Sequence, residues 1–325
     1  MKLYIGVDGG GTKTEVFAFD LEHRRGNVSA GAASNPSTVG WEQAMETVET
    51  LIRTVTREAG GSVDDVKGLS LCMSGVDRPE QGERVRSHFA PLFPNAKVEV
   101  ANDALAALAA GTRGSSGVVL IAGTGSIAVG ESDRGKVVRA GGYGNLIGDE
   151  GSGFVIGRAG LMAAVQSREG RGPETTLWER TKEQFGIAQP GEIIPKIYGS
   201  HHPVGTIASF APHVLAEATH DEVAARIVAE AVDNHVALIR SVRTQLSDDI
   251  SDKVILAGGL FTNTPVLADK VRLALPELTF TVLKERASAG AALRALAFSQ
   301  SGSWSGEPAT SGLIDAWEEA VRATS

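Results

Sequence analysis

Asp8-Gly9-Gly10-Gly11-Thr12-Lys13-Thr14 places three successive glycines between two apolar runs, LYIGVD and TEVFAFD. A plain hairpin needs one or two glycines. A third suggests an anion site, since glycine tolerates positive φ and lets backbone N–H groups approach a phosphate, while Thr12, Thr14 and the Lys13 ammonium add donors. A flexible, solvated hairpin is the plain alternative, and a Walker A loop is excluded because GxxxxGK[ST] occurs nowhere in the chain. A second turn, Gly123-Thr124-Gly125-Ser126, follows the run GVVLIA and, with Ala128, satisfies G-x-G-x-x-G/A. That dinucleotide fingerprint requires a helix next. Here the following residues are short, β-branched and interrupted by Gly130, so a second phosphate hairpin is the preferred reading.

Three further constellations carry chemistry. Asn102-Asp103 lies between the run KVEVA and an Ala-rich segment. An isolated acid at such a junction is most often a helix cap, but carboxyl ends of sheet strands are where ligands collect, and a carboxylate there can take the proton of a hydroxyl nucleophile. Residues 141–153, GGYGNLIGDEGSG, pack six glycines with Tyr143, Asn145, Asp149 and Glu150; a loop binding sugar hydroxyls and an exposed polar turn both fit. Gly258-Gly259 ends the run KVILA, where a flat base could lie against backbone or a tight strand-to-helix loop could be required. The seven His residues show no metal spacing and are expected to face solvent; G-x-S-x-G is also missing, so serine hydrolase chemistry has no support.

The chain that positions these groups has 325 residues and a net charge of −8, with 39 glycines and one cysteine, Cys72. That length suggests about two domains with a core that needs no staples. A lone Cys excludes an intrachain disulfide and fits a reducing cytoplasm. No apolar run is long enough to span a membrane, and the acidic balance argues against a nucleic-acid partner.

Periodicity sets out the elements. Strands are predicted at 3–8, 14–20 and near 27–31, then a helix over 40–59, a strand at 67–74, a helix over 79–89, a strand at 97–101 and a helix from Ala104 closed by Gly111. From Gly117 the same order returns: strand, Gly-turn, strand, a strand near 136–141, and later a strand at 253–257, a helix over 265–274, a strand at 278–284 and a helix over 287–298. The fold is therefore read as a duplicated α/β unit of order βββαβαβα. A mainly helical insertion is expected over about 150–246, broken near 168–173 and 199–205, with a long amphipathic segment from Asp221 to Leu246. A polar loop over 299–312 and a short last helix close the chain.

In their order and spacing, DGGGTKT, SNPS, the strand ending MSG, AND at 101–103, GTGS at 123–126, GGYGNLIGDEGSG and LAGG at 256–259 resemble the N-acetylglucosamine kinase and BadF/BadG-type ATPase family of the sugar-kinase/actin-like superfamily. The resemblance covers about residues 1–300. It implies two actin-like (ribonuclease H-like) lobes around a nucleotide cleft, with the small lobe at 1–112 joined by the helix within 300–325, and the larger lobe at 113–299. It further implies ATP and Mg²⁺, with Gly9, Gly10, Gly11, Thr12, Lys13 and Thr14 as the first phosphate loop and Gly123, Thr124, Gly125 and Ser126 as the second. Gly258 and Gly259 would meet adenosine, and Asp8 would hold the metal through water. Asp103 matches the catalytic base, and Asn35, Asn102, Gly142, Tyr143, Asp149 and Gly153 fall at or beside sugar contacts; Tyr143 stands where animal relatives carry Trp. The implied reaction is phosphorylation of the 6-hydroxyl of N-acetylglucosamine, with N-acetylmuramic acid, glucosamine and glucose as further candidates, in a cytoplasmic enzyme expected to be a homodimer. Within the family, ATPase activators of radical dehydratases need several cluster-ligating cysteines, which one Cys does not supply. A non-catalytic sugar sensor would ordinarily add a helix-turn-helix module, for which no room is expected before Leu3 or after Ser299.

Overall fold

The computed structural model describes residues 1–76, 78–247, 249–301 and 311–324. β1 (Leu3–Gly9), β2 (Lys13–Asp20) and β3 (Arg25–Ala32) form an antiparallel meander, and β4 (Val66–Met73) and β5 (Lys97–Ala101) extend it in parallel on the other side of β1, giving the order β3-β2-β1-β4-β5. The second sheet repeats this arrangement. β6 (Gly117–Ala122), β7 (Ser126–Glu131) and β8 (Val137–Gly141) make the meander, and β9 (Lys253–Ala257) and β10 (Thr279–Val282) continue in parallel from β6, giving β10-β9-β6-β7-β8. The duplicated α/β unit is thus the architecture.

Each sheet is covered on both faces, which is why its central strands are almost continuously buried. Helix Trp41–Glu58 lays Ala44, Met45, Val48, Leu51, Ile52 and Val55 on the first sheet at helical spacing. Between the sheets lie two helices of small residues. Asp103–Thr112 packs Leu105 and Leu108 against Val119, Val129 and Ile255 of the second sheet, while Ala287–Ser301 packs Leu293 and Leu296 against Tyr4, Phe17 and Phe19 of the first. Their approach depends on glycine: a Cβ at Gly290 would fall 2.1 Å from the Ala106 carbonyl, and one at Gly6 2.0 Å from the Ala292 nitrogen. The last helix, Ser311–Arg322, seats Trp317 in the same cluster, its indole N–H donating to the Ala289 carbonyl at 2.8 Å.

The insertion comprises helices Gly153–Arg168, Leu177–Phe185, Ile193–Tyr198, Pro203–Ala208, Ala211–Glu217 and Glu222–Leu246, the last capped by the Asp221 carboxylate accepting from the Ala224 N–H at 2.8 Å. Several local expectations differ. Gly111 does not end its helix, which runs to Thr112 and stops where Arg113 turns left-handed; Gly111 is there because a Cβ would lie 2.6 Å from Ile255. Pro203 starts a helix inside the break expected at 199–205, as proline does well in a first turn. A short helix, Pro36–Val39, precedes the one predicted from residue 40. The loop expected over 299–312 falls mostly outside the described residues. His201 and His202 are exposed, but His235 is wholly buried, contrary to the solvent-facing expectation.

Candidate active site

The β1–β2 register pairs Gly9 with Thr14, so Gly10 to Lys13 form the turn, closed by the Gly10 N–H donating to the Lys13 carbonyl at 3.0 Å. The three glycines do different jobs. None has positive φ, so left-handed backbone is not what the turn requires. Gly9 is packed, since a Cβ would lie 2.7 Å from the Ser34 hydroxyl; Gly11 faces open space, with nothing within 4 Å of its Cβ position. Thr14 is buried and its hydroxyl donates to Ser34 Oγ at 2.8 Å, whereas Thr12 and Lys13 are exposed. Ser34 is a partner that the sequence reading missed.

The second turn is built alike and tied to the glycine-rich loop. Gly123 also faces open space, while a Cβ at Gly125 would lie 2.8 Å from the Asp149 carboxylate. The Ser126 hydroxyl donates to the Glu150 carbonyl at 2.7 Å, the Gly153 N–H to the Gly123 carbonyl at 2.7 Å, and the Phe154 N–H to the Thr124 carbonyl at 3.2 Å. Ser152 caps helix Gly153–Arg168 directly above these bonds. The turn and the 141–153 loop therefore behave as one body. Burial pushes the Asp149 carboxyl up, against backbone N–H groups of Ser126 and Gly144 that favour its charged form. Gly142 holds φ 72, and Tyr143 is exposed with the Arg139 guanidinium 5.1 Å from its ring centre.

Asp8 is the next-to-last residue of β1, and Asp103 opens the helix after β5, where the Asn102 side chain caps by accepting from the Ala104 N–H at 2.9 Å. Asn102, not Asp103, is the cap. The Asp8 carboxyl is pushed up to about 7, first by burial, then by the charges of Asp103 and Glu15, with Lys13 opposing. An acid so disfavoured in its charged form is one that a cation would relieve. Among the described residues no three His, Cys, Asp or Glu side chains form a metal cage, yet Mg²⁺ commonly keeps several waters and takes one or two carboxylates plus substrate phosphate oxygens. Asp8 fits that donor set, and the open tips at Gly11 and Gly123 fit nucleotide phosphates.

Asn35 caps Pro36–Val39, its side chain accepting from the Ser37 N–H at 2.9 Å, and lies so near Gly75 that a Cβ there would fall 2.4 Å from Oδ1. Gly258 has φ 92 and abuts the Ala122 carbonyl, so it is a packed turn glycine, while Gly259 is exposed at the start of helix Gly259–Thr262.

Buried charge was not foreseen. Arg294, 3 % exposed, joins Glu99 of β5 at 2.6 Å to Glu131 of β7 at 2.5 Å, and Ser70 donates to Glu99 at 2.7 Å, so a single side chain ties the two sheets. Glu15 is likewise held by Arg286 at 2.9 Å and Ser288 at 2.7 Å. The buried His235 ring packs against the 141–153 loop at Gly151 and lies 5.3 Å from the Phe261 ring, and burial depresses its pKa to about 4.

The chain is 32% identical over 300 residues to an N-acetylmuramic acid/N-acetylglucosamine kinase of Clostridium acetobutylicum, covering 90% of this chain and 98% of that one. It is 31% identical to the N-acetyl-D-glucosamine kinase of Dictyostelium discoideum, over 82% of this chain and 88% of the other. In three dimensions it is similar to a solved structure from Chromobacterium violaceum described as a candidate N-acetylglucosamine kinase, with TM-score 0.70, 25% identity, and coverage of 90% of this chain and 98% of that one. Residues 5–284 match the BadF/BadG/BcrA/BcrD ATPase family, to which this chain therefore belongs.

Proposed function

We propose that the protein is an ATP-dependent amino-sugar kinase that transfers the γ-phosphoryl group of ATP to the 6-hydroxyl of N-acetylglucosamine, releasing ADP and the sugar 6-phosphate. The observation that carries the reading is the pairing of Asp8 near the carboxyl end of β1 with Asp103 just after β5, part-buried acids near enough for the charge of Asp103 to disfavour that of Asp8, together with two glycine turns whose tips are open. The names of the relatives support the substrate class.

Phosphoryl transfer asks for charge neutralisation and alignment with little covalent work. Backbone N–H groups at the tips of the 9–14 and 123–126 turns hold the phosphates, those of Gly10 and Gly123 closing the turns themselves, and exposed Lys13 adds a cation. Gly258 and Gly259 admit the adenosine. Asp8 would hold Mg²⁺ through water, and the ion would screen phosphate charge when bound. Asn35, Asn102, Gly142, Tyr143, Asp149 and Gly153 fix the sugar so that its hydroxyl meets Asp103, which accepts the proton as the oxygen–phosphorus bond forms. We take residues 1–112 and 113–299 as the two lobes, joined through helix Ala287–Ser301, which belongs to the second repeat but packs on the first sheet. Their closure would exclude water and limit ATP hydrolysis. Phosphorus NMR of the product tests the regiochemistry, with phosphate expected on O6; Asp103→Asn is expected to lower kcat at least about 100-fold with nucleotide binding retained. Phosphate on another oxygen, or near-normal turnover by the variant, would overturn these assignments.

A further inference from the structure

Lys13 and Glu15 stand two residues apart in β2, so the strand puts both side chains on one face. The Lys13 ammonium lies 3.9 Å from Glu15 Oε2, with 70 % of its side chain exposed against 9 % for Glu15. A buried carboxylate so close can hold the lysine. Held there, the ammonium is lost to a phosphate at the turn tip, so the spacing that brings Lys13 to the turn also places a competitor beside it.

Glu15 is already taken by other donors. The Arg286 guanidinium donates to the same Oε2 at 2.9 Å and the Ser288 hydroxyl to Oε1 at 2.7 Å, so both oxygens are engaged and Lys13 keeps only the more distant approach. Arg286 immediately precedes helix Ala287–Ser301, and Ser288 stands in its first turn, where the helix dipole also favours an anion. The Thr324 carbonyl steadies the guanidinium from its other side, accepting from Nη2 at 3.4 Å. Arginine suits this place better than lysine, being weakly hydrated and always charged, whereas an exposed lysine pair adds little. The same carboxylate stands opposite Asp8 in the β1–β2 register, so without a cation its charge would also face the phosphates.

We propose that Arg286 is a positioning residue for the nucleotide: by occupying Glu15 it leaves Lys13 free to reach the phosphates of ATP. The proposal rests on the reading of the 9–14 turn as a phosphate site. It adds that the cation of this turn is kept available by a residue from the second repeat.

Calorimetric titration of ATP, with Mg²⁺ and without sugar, into the full chain and its variants gives the dissociation constants, thermal unfolding serving as the check on folding. Arg286→Gln and Lys13→Gln should each weaken ATP about 10-fold, the loss of one charge-assisted hydrogen bond to phosphate. The two losses should not multiply: with Arg286→Gln already present, Lys13→Gln should change the affinity by less than about twofold, because the lysine is already held. Adding Glu15→Gln to Arg286→Gln should recover most of the native affinity, since the competing charge is gone. At saturating ATP, KM for N-acetylglucosamine should stay within about twofold in Arg286→Gln, whereas a merely structural loss would move both substrates. Losses that multiply to about 100-fold, or no recovery from Glu15→Gln, would overturn the role of Arg286. A native protein that binds no ATP would instead overturn the phosphate-turn reading beneath it.

Discussion

Removing the Arg294 guanidinium tests whether the two sheets are held by buried charge. The side chain is 3 % exposed and reaches both carboxylates twice, Glu99 at 2.6 and 3.3 Å and Glu131 at 2.5 and 3.2 Å. Arg294→Met keeps much of the volume but leaves two buried acids facing each other, and breaking a buried pair from one side costs about 3–5 kcal/mol. In a chain of this size each kcal/mol shifts the melting temperature by roughly 2 °C, so a fall of about 6–10 °C is expected at pH 8. The loss should depend on pH. Burial already pushes the Glu131 carboxyl up even with Arg294 beside it; without the cation its folded pKa rises further above the unfolded value. A group of that kind destabilises increasingly as pH rises above its unfolded pKa and ceases to do so once protonated in both states. The gap between variant and native protein should therefore narrow from pH 8 to pH 5. Adding Glu131→Gln to Arg294→Met should recover stability at pH 8. Scanning calorimetry over that range is the assay, and a shift below 2 °C that is flat with pH would refute the argument.

Other outcomes follow from single contacts. His235, with its pKa depressed to about 4 against 6.5 unfolded, binds fewer protons folded than unfolded between those values, so native stability should fall by up to about 3 kcal/mol as pH drops through that window; His235→Gln should flatten this acid slope in denaturant titrations, and an unchanged slope would contradict it. Gly125→Ala inserts a methyl 2.8 Å from the Asp149 carboxylate; because Gly125 belongs to the proposed phosphate turn and Asp149 to the proposed sugar loop, KM for the sugar and KM for ATP are both expected to rise about 10-fold, and unchanged values for both would contradict the site. Cys72 is buried, and burial pushes its thiol up to about 12, so Ellman's reagent should label it only on unfolding; fast labelling of native protein would place it at the surface instead.

The duplicated order of elements was legible because glycine turns interrupt period-two runs at LYIGVDGGGTKTEVFAFD and GVVLIAGTGSIAVGE, and two such hairpins in one order suggest two equivalent sheets. The tie between the second turn and the 141–153 loop was not legible, since Ser126, Glu150 and Gly153 meet only once helix Gly153–Arg168 is placed. The burial of charged residues in strands was not legible, for a physical reason. In KVEVA the alternation would put Glu99 on the solvent side, and the same holds for Glu15 and Glu131, yet all three are buried because helix Ala287–Ser301 with its Arg294, and Arg286 just before it, cover that face. Glycine also divided differently from expectation. Gly6, Gly111 and Gly290 are spent on close helix packing, and Gly9 on contact with Ser34, so only some of the excess serves open turn tips.

The most direct test is a coupled assay of ADP release with ATP, Mg²⁺ and, in turn, N-acetylglucosamine, N-acetylmuramic acid, glucosamine and glucose. ADP should appear with an amino sugar at a rate at least about 100-fold above the sugar-free background, the margin expected of a positioned general base. ADP release that is the same with and without every sugar would contradict the kinase reading.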